Sequence, residues 1–278
     1  MYLWKYHASA PWLAAHEMEL EQTWPGAVAV IDRPGRARVL VQVTCRTRAE
    51  ASRLERRFGG KAESLGKDWR QKFFAASKHA PLRIGRRLVV VASAETAGAT
   101  PQLAIPAAGA FGTGDHATTA MSLRMLEETT RQLRPGWRLL DAGTGTGILA
   151  LAARHFGASE VFGLDNDPRA VAHAQANARL NKITRAKFRT ADVLRWKPER
   201  QFEVVTANLF SELLIAALPN FRRALHTDGQ LIASGILRGQ LDEVSCGLAV
   251  QSFDLLRTRR RGKWVALHAR CGHRGKRS

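Results

Sequence analysis

Acidic residues are scarce in this 278-residue chain: 24 Asp and Glu stand against 43 Lys and Arg, a net charge of +19. Such an imbalance attracts polyanions, specifically or not. Ribosomal RNA, a ribosome assembly intermediate or an acidic protein face would each exploit it. A proteome that raises arginine everywhere would produce it too. The charge governs encounter and solubility and leaves the reaction open. Cysteine is also sparse. Cys45, Cys246 and Cys271 are widely spaced and odd in number. They form no metal-ligand pattern and no disulfide framework is expected, only reduced thiols. No apolar run approaches the roughly 18 residues of a membrane span. Met1 to Ala10 lacks the charged-then-apolar order of a signal peptide. A cytoplasmic protein with no membrane partner is therefore expected. The remaining composition is globular, 45% hydrophobic and 24% charged, and the length suits one large or two modest domains.

One stretch organises the rest: Leu139-Leu140-Asp141-Ala142-Gly143-Thr144-Gly145-Thr146-Gly147. Apolar residues lead into a glycine-rich turn, and the apolar run Ile148–Ala153 follows at once. That order predicts strand, tight turn, helix. Glycines let a backbone turn sharply and approach a ligand closely, and the helix start offers unpaired N–H groups. The next predicted strand, Glu160 to Asp165, carries its acid at the tip. An acid about 20 residues beyond a glycine turn suits ribose hydroxyls. The spacing then separates two nucleoside cofactors. A dinucleotide fingerprint reads G-x-G-x-x-G or A, but here Ile148 holds the last place, and a β-branched residue hinders close approach of a pyrophosphate. The pattern is instead G-x-G-x-G with Asp141 two residues upstream. It resembles motif I of the class I methyltransferases that bind S-adenosylmethionine, a cofactor without phosphate.

Residues 1–66 read as a small α+β unit. Tyr2–Tyr6, Ala27–Ile31 and Val39–Val43 read as strands, with Lys61–Leu65 as a final one. Ala10–Trp24 reads as a helix with Trp12, Leu13, His16 and Leu20 on one side. A second helix, capped by Thr47, runs through Leu54 and stops at Gly59-Gly60. The order β-α-β-β-α-β is that of a ferredoxin-like unit. It holds no cluster of catalytic residue types and is read as a recognition module. Residues 67–109 read as a connector with a strand near Val89, and Ala97–Ala108 as loop. Then comes Ala110-Phe111-Gly112-Thr113-Gly114-Asp115-His116-Ala117-Thr118-Thr119 ahead of a helix, Ala120–Leu133. Thr118 or Thr119 is expected to cap that helix.

Further on, Asp167-Pro168 opens a helix to Leu180. Phe188–Val193 reads as strand and loop, where Asp192 either accepts from an adenine amino group or caps the loop. Phe202–Asn208 is a buried-looking strand that ends in an amide, at the edge where open α/β sheets bind ligands. Ser211–Leu225 is a helix and Gly229–Ala233 the next strand. Phe253–Arg257 and Trp264–His268 form a closing antiparallel pair around Arg259–Lys263, and residues 271–278 are a basic tail.

Residues 68–91 and 110–119, the glycine motif, Leu164-Asp165-Asn166-Asp167-Pro168 and Ala207-Asn208-Leu209 occur in that order. Together they resemble the bacterial ribosomal protein L-eleven methyltransferase family, over roughly residues 68–268 with a weaker N-terminal match. Phe-Gly-Thr-Gly-x-His-x-Thr-Thr is the most specific element. Pro106-Ala107-Ala108 stands where the family usually has Asp-Pro-Gly, and Ala117 replaces a common proline. The resemblance implies a Rossmann-like class I methyltransferase domain with a seven-stranded mixed sheet at 110–270, joined to a ferredoxin-like substrate-binding domain. It implies S-adenosylmethionine contacts at Thr119, Gly143, Asp165 and Asn208; Phe111, Gly112, Thr113, Asp141, Gly145, Gly147 and Asp192 are further candidates for the cofactor site, and no metal is expected because the leaving group is already activated. It also implies methylation of lysine and N-terminal amines on a ribosomal protein. Asn208 and His116 are the residues expected at the chemistry, His116 as loop organiser rather than proton acceptor, since solvent can take the proton. A monomer is expected, with rRNA or ribosome contact through the basic surface. The rival readings are a methyltransferase of another protein or of RNA, and a basic binding module that keeps the fold without catalysis.

Overall fold

The computed structural model describes residues 1–24, 27–31, 37–65, 81–93, 100–106 and 116–272. The chain forms two compact units, residues 1–77 and 78–278.

The first unit contains β1 (Tyr2–Ala8), α1 (Ala10–Thr23), β2 (Val28–Ile31), β3 (Val39–Cys45), α2 (Arg48–Phe58) and β4 (Lys61–Ser64). The sheet order is β2-β3-β1-β4, with every pairing antiparallel. This is the ferredoxin-like arrangement that the element order predicts. Trp4, Leu20, Val41, Val43 and Leu54 are fully buried between the sheet and the two helices. Thr47 caps α2 as expected: its hydroxyl accepts from Glu50 N at 3.2 Å, while the Glu50 carboxylate accepts from Arg46 N at 2.7 Å. Such caps contribute about 1 kcal/mol. The Trp4 indole donates to Gly59 O at 2.8 Å and fastens β1 to the end of α2.

In the second unit β5 (Leu82–Ile84), β6 (Leu88–Val91) and β7 (Gln102–Ala104) form a small sheet in that order. The third strand corrects the expectation of a loop over Ala97–Ala108. Its alanine- and proline-rich composition carries little strand preference, but pairing decides. Gln102–Ala104 lies parallel to β6, and Asn181 brackets it by accepting from Ala104 N at 2.7 Å and donating to Ala104 O at 2.8 Å. Ile84, Leu88 and Leu103 enter the core of the second unit, so the stretch read as a connector packs into that unit.

The main sheet is built from β8 (Arg138–Ala142), β9 (Glu160–Asp165), β10 (Ala186–Thr190), β11 (Phe202–Asn208), β12 (Leu225–Leu237), β13 (Phe253–Arg261) and β14 (Trp264–Cys271). Between these strands, or ahead of them, run α3 (Ala117–Thr130), α4 (Ile148–His155), α5 (Pro168–Leu180), α6 (Ser211–Ala224) and α7 (Leu241–Val250). The strand order is β10-β9-β8-β11-β12-β14-β13. The first five run parallel, and β14 runs antiparallel to both its neighbours. This is the mixed seven-stranded sheet expected. Parallel strands covered on both faces need apolar residues on both. Leu139 accordingly packs in the core with Leu123 and Leu151, and Leu140 in the opposite core with Leu214 and Phe221. The closing hairpin is longer than its apolar pattern suggests. Arg259–Arg261 continue β13, and the turn is made by Gly262, at φ +57°, with Lys263. On the polar edge strand the alternation is carried by charge, which the apolar pattern cannot report.

Candidate functional site

The glycine turn leaves β8 at Ala142 and enters α4 at Ile148. Gly143, Gly145 and Gly147 have φ of +72°, +54° and +81°, which side-chain-bearing residues avoid. At Gly143 a Cβ would also lie 2.5 Å from Leu209 Cδ2. Gly143 N and Thr144 N both donate to Leu164 O at 2.8 Å, so the turn is stitched to β9.

Asp141 holds the turn from its buried side. It is 1% exposed. Thr144 Oγ1 donates to its Oδ2 and Thr206 Oγ1 to its Oδ1, both at 2.7 Å. Burial pushes its carboxyl from 3.8 up to about 6, against the pull of these hydrogen bonds. One carboxylate thus joins β8, the turn and β11. From α5, Asn177 Nδ2 donates to Thr146 O at 2.9 Å and pins the turn again.

Asp165 sits half-buried at the tip of β9. Its Oδ2 accepts from Gly145 N at 2.9 Å and its Oδ1 from Asp167 N at 3.0 Å. Each oxygen keeps a further lone pair, so the pair can also accept hydroxyl donors. Asp192 is exposed, and its Oδ1 accepts from Leu194 N at 2.9 Å. That bond caps its own turn and leaves Oδ2 outside it.

A second group lies where α3 begins beside the end of β11. His116, not Thr118 or Thr119, is the helix cap. Its Nδ1 accepts from Thr118 N at 3.4 Å and lies 2.7 Å from Thr118 Oγ1. The two threonines lie within α3 and are each 1% exposed. An imidazole nitrogen can accept as a carboxyl-amide or hydroxyl cap does, and the helix therefore starts three residues earlier than Ala120. Burial, then the nearby Lys263 charge, lowers the His116 pKa and so favours the neutral ring, the form in which one ring nitrogen can accept. The Trp264 ring meets the imidazole edge-on at 5.1 Å. Asn208 Nδ2 donates to Thr118 Oγ1 at 3.3 Å. With Nδ2 so committed, Oδ1 is the Asn208 atom left to accept. The buried Thr119 hydroxyl has no hydrogen-bond partner among the described residues. Two residues past Asn208, Phe210 is 73% exposed at the start of α6.

The structure therefore brings Asp141, Gly143, Gly145, Gly147 and Asp165 into one cluster, and His116 and Asn208 into another with Thr118. Both lie at the carboxyl ends of the adjacent strands β9, β8 and β11, where open α/β sheets bind ligands. Phe111, Gly112 and Thr113 lie outside the described residues. Among the described residues no group of three or more His, Cys, Asp or Glu is placed to hold a metal, and no helix is long and apolar enough to cross a membrane. Sequence reasoning missed Thr118, Thr144, Asn177, Thr206 and Phe210 as parts of the site. Thr206 was the findable one: a hydroxyl inside an apolar strand must be paired once buried.

Residues 36–271 match the family described as Ribosomal protein L11 methyltransferase (PrmA). The chain is similar to the ribosomal protein L11 methyltransferase of Desulfitobacterium hafniense, 37% identical over 207 residues, covering 73% of this chain and 64% of that one. It is similar to that of Pelobacter propionicus at 39% identity over 207 residues, covering 72% and 65%. The matched stretch thus spans just under two thirds of the length of these relatives. Among solved structures, the ribosomal protein L11 methylase from Lactobacillus delbrueckii subsp. bulgaricus superposes with a TM-score of 0.63 at 29% identity, over 69% of this chain and 99% of that one.

Proposed function

The chain belongs to the ribosomal protein L11 methyltransferase family, and on that premise we propose that it methylates amines of a ribosomal protein of the L11 kind, with S-adenosylmethionine as methyl donor. The acceptors are lysine side chains and the N-terminal amine. The observation that carries the reading is the pairing of the two clusters. A nucleoside-suited turn and acid, Gly145 with Asp165, adjoin an amide, Asn208, whose oxygen is left to accept. The residues fit the cofactor. Asp165 keeps lone pairs for ribose hydroxyls, the turn at Gly143 has a positive φ and packs so close to Leu209 that it admits no side chain, and the Thr119 hydroxyl is buried without a partner among the described residues. When bound, S-adenosylmethionine supplies an activated methyl group on a sulfonium leaving group.

The protein must then deal with the acceptor. A lysine of pKa about 10.4 is mostly protonated at neutral pH, and neutralising it costs roughly 4–5 kcal/mol at about 1.36 kcal/mol per pKa unit. A partly desolvated site disfavours the ammonium form. Asn208 Oδ1 accepts from the neutral amine and orients its lone pair. Thr118 and His116 hold the Asn208 amide in place, and orientation supplies much of the rate. His116 acts as organiser, its Nδ1 occupied by the cap. Phe210 offers an exposed apolar contact to the incoming protein. The first unit, residues 1–66 in the main, recognises the substrate. The reading includes a monomeric enzyme in the cytoplasm, where ribosomal proteins are made.

Mass spectrometry of ribosomal proteins from cells with and without this protein tests the reading. A loss of methyl groups from lysine or N-terminal amines of one large-subunit protein is expected. An unchanged methylation pattern, with purified protein that also fails to bind S-adenosylhomocysteine, would sink it.

A further inference from the structure

At the other end of β8 lies a cleft of about 640 Å³. Its walls are the β5–β6 turn, Gly85-Arg86-Arg87, the end of α3 at Glu127, Thr130 and Arg131, the entry to β8 at Trp137, and Phe156-Gly157 after α4. The glycine turn follows the carboxyl end of β8 and the cleft precedes its amino end. Five residues at about 3.3 Å each set them about 17 Å apart, so the cleft is separate from the methyl-transfer site.

The cleft is built, not incidental. Arg87 donates to Phe156 O at 2.6 Å and to Thr130 Oγ1 at 3.3 Å, with its guanidinium 5.0 Å from the Phe156 ring centre. The carboxylate of Glu127, 2% exposed, accepts from Arg131 Nε and Nη2 at 2.9 Å each. The one acid in the lining is thus neutralised from within. Gly85 stands so close that a Cβ there would lie 3.0 Å from that carboxyl carbon. Two cations remain outside this network. Arg86 lines the cleft, and Arg134 is exposed between the lining residues Leu133 and Pro135. Neither has an ion-pair partner among the described residues. The floor is apolar: Leu133 and Pro135 are its accessible part, and Trp137 and Phe156, 4% and 2% exposed, show only their edges.

We propose that this cleft is a docking site for single-stranded RNA, with a base on the apolar floor and the flanking phosphates on Arg86 and Arg134. Its volume lies within the roughly 300–1,000 Å³ of small-molecule pockets, enough for one nucleotide. Arginine pairs with phosphate in a fork that lysine cannot make. Single-strand binders join a cationic rim to apolar faces for bases. An acidic peptide would satisfy the rim and leave the floor unused. The chain-wide excess of base over acid, 43 against 24, steers such a polyanion. The inference does not depend on the methyl-transfer reading.

The test is fluorescence anisotropy of the full chain with a labelled RNA strand of about 12 nucleotides, within the site sizes of single-strand binders, over a salt series. Arg86→Glu with Arg134→Glu is expected to weaken binding at least about tenfold and to lower the salt slope by about 1.4, two phosphate contacts at about 0.7 each. Arg86→Lys with Arg134→Lys should weaken it by less. Arg179→Glu with Arg189→Glu changes net charge equally near the β10 edge and should leave affinity within about threefold, as expected of contacts that carry no base or phosphate. Cofactor affinity of each variant, by calorimetry, reports that the fold survives. Three results overturn the proposal: no saturable binding, equal weakening by both glutamate pairs, or displacement of the RNA by polyglutamate at matched charge, which would make an acidic protein the partner.

Discussion

Thr206→Val removes one hydroxyl from the centre of the second unit and should do so in a pH-dependent way. Thr206 is fully buried and its Oγ1 donates to Asp141 Oδ1 at 2.7 Å. Valine keeps the shape and leaves that oxygen facing a methyl group. A hydrogen bond to a charged group contributes about 1.5–3 kcal/mol, and one between neutral groups about 0.5–1.5 kcal/mol. Which applies depends on the protonation of Asp141, whose carboxyl is pushed to about 6 in the fold. The Thr206 bond lowers that pKa, so its loss raises it further. In the unfolded chain the carboxyl returns to about 3.9. Between those values the folded state holds a proton that the unfolded state does not, and stability falls as pH rises. In the variant this fall continues to a higher pH. The penalty should therefore be about 1 kcal/mol at about pH 5, the neutral bond alone, and about 2–3 kcal/mol at about pH 8. The gap corresponds to about one pKa unit at about 1.36 kcal/mol each. Native-state hydrogen exchange of the β8 amides reads the second unit alone. A penalty equal at both pH values, or below about 0.5 kcal/mol at the higher one where a charged bond should be lost, would refute the role given to Asp141.

Asp165→Ala should weaken S-adenosylhomocysteine binding by about 1.5–3 kcal/mol through lost charged hydrogen bonds; calorimetry showing unchanged affinity removes it from the site. Asn208→Ala should lower the single-turnover rate by about 10²–10³, by analogy with one preorganised donor, while cofactor affinity changes little; a destabilised protein with normal turnover would leave Asn208 structural. Thr118→Val should lower the same rate less, because it only frees the Asn208 amide, and Asn208→Ala should abolish its effect in the double variant. Phe210→Ala should raise KM for the protein substrate and leave cofactor affinity alone; an unchanged KM assigns that exposed ring no part in recognition.

How much of this was legible in the sequence follows from range. The parallel strands were legible because burial on both faces writes continuous apolar runs, as in Leu139-Leu140 and Val204-Val205. The glycine turn and Asp165 were legible because their spacing is local and chemical. The start of α3 was misread because threonine is the commoner cap, whereas the cap here is an imidazole held by the second residue of the helix, Thr118. Strand β7 was hidden because it is three residues long and its clamp, Asn181, is distant in sequence. The length of β13 was hidden because its second half, Arg257 to Arg261, is almost all arginine and writes no apolar face. The buried threonines are the general case. A threonine in a strand has the same local sequence whether its hydroxyl meets solvent or, like Thr206, a buried carboxylate.

The two acids of the turn show how one side-chain type acquires two roles. Asp141, next to last in β8, and Asp165, last in β9, stand beside the same glycines, and both carry protein hydrogen bonds. Asp141 is enclosed, takes two hydroxyl donors and is pushed towards its neutral form by burial, with the Asp165 charge adding to that push. Asp165 is half-open and takes a backbone donor on each oxygen, which leaves each a further lone pair. Coupling runs between them through Gly145 and Thr144, which are adjacent in the turn. A change that freed Asp165 from Gly145 N would loosen the same backbone that Thr144 ties to Asp141. The buried acid fixes the shape of the turn and the open acid presents it. Neither role can be assigned from the residue type alone, because the fold sets how far each carboxylate is buried and which donors reach it.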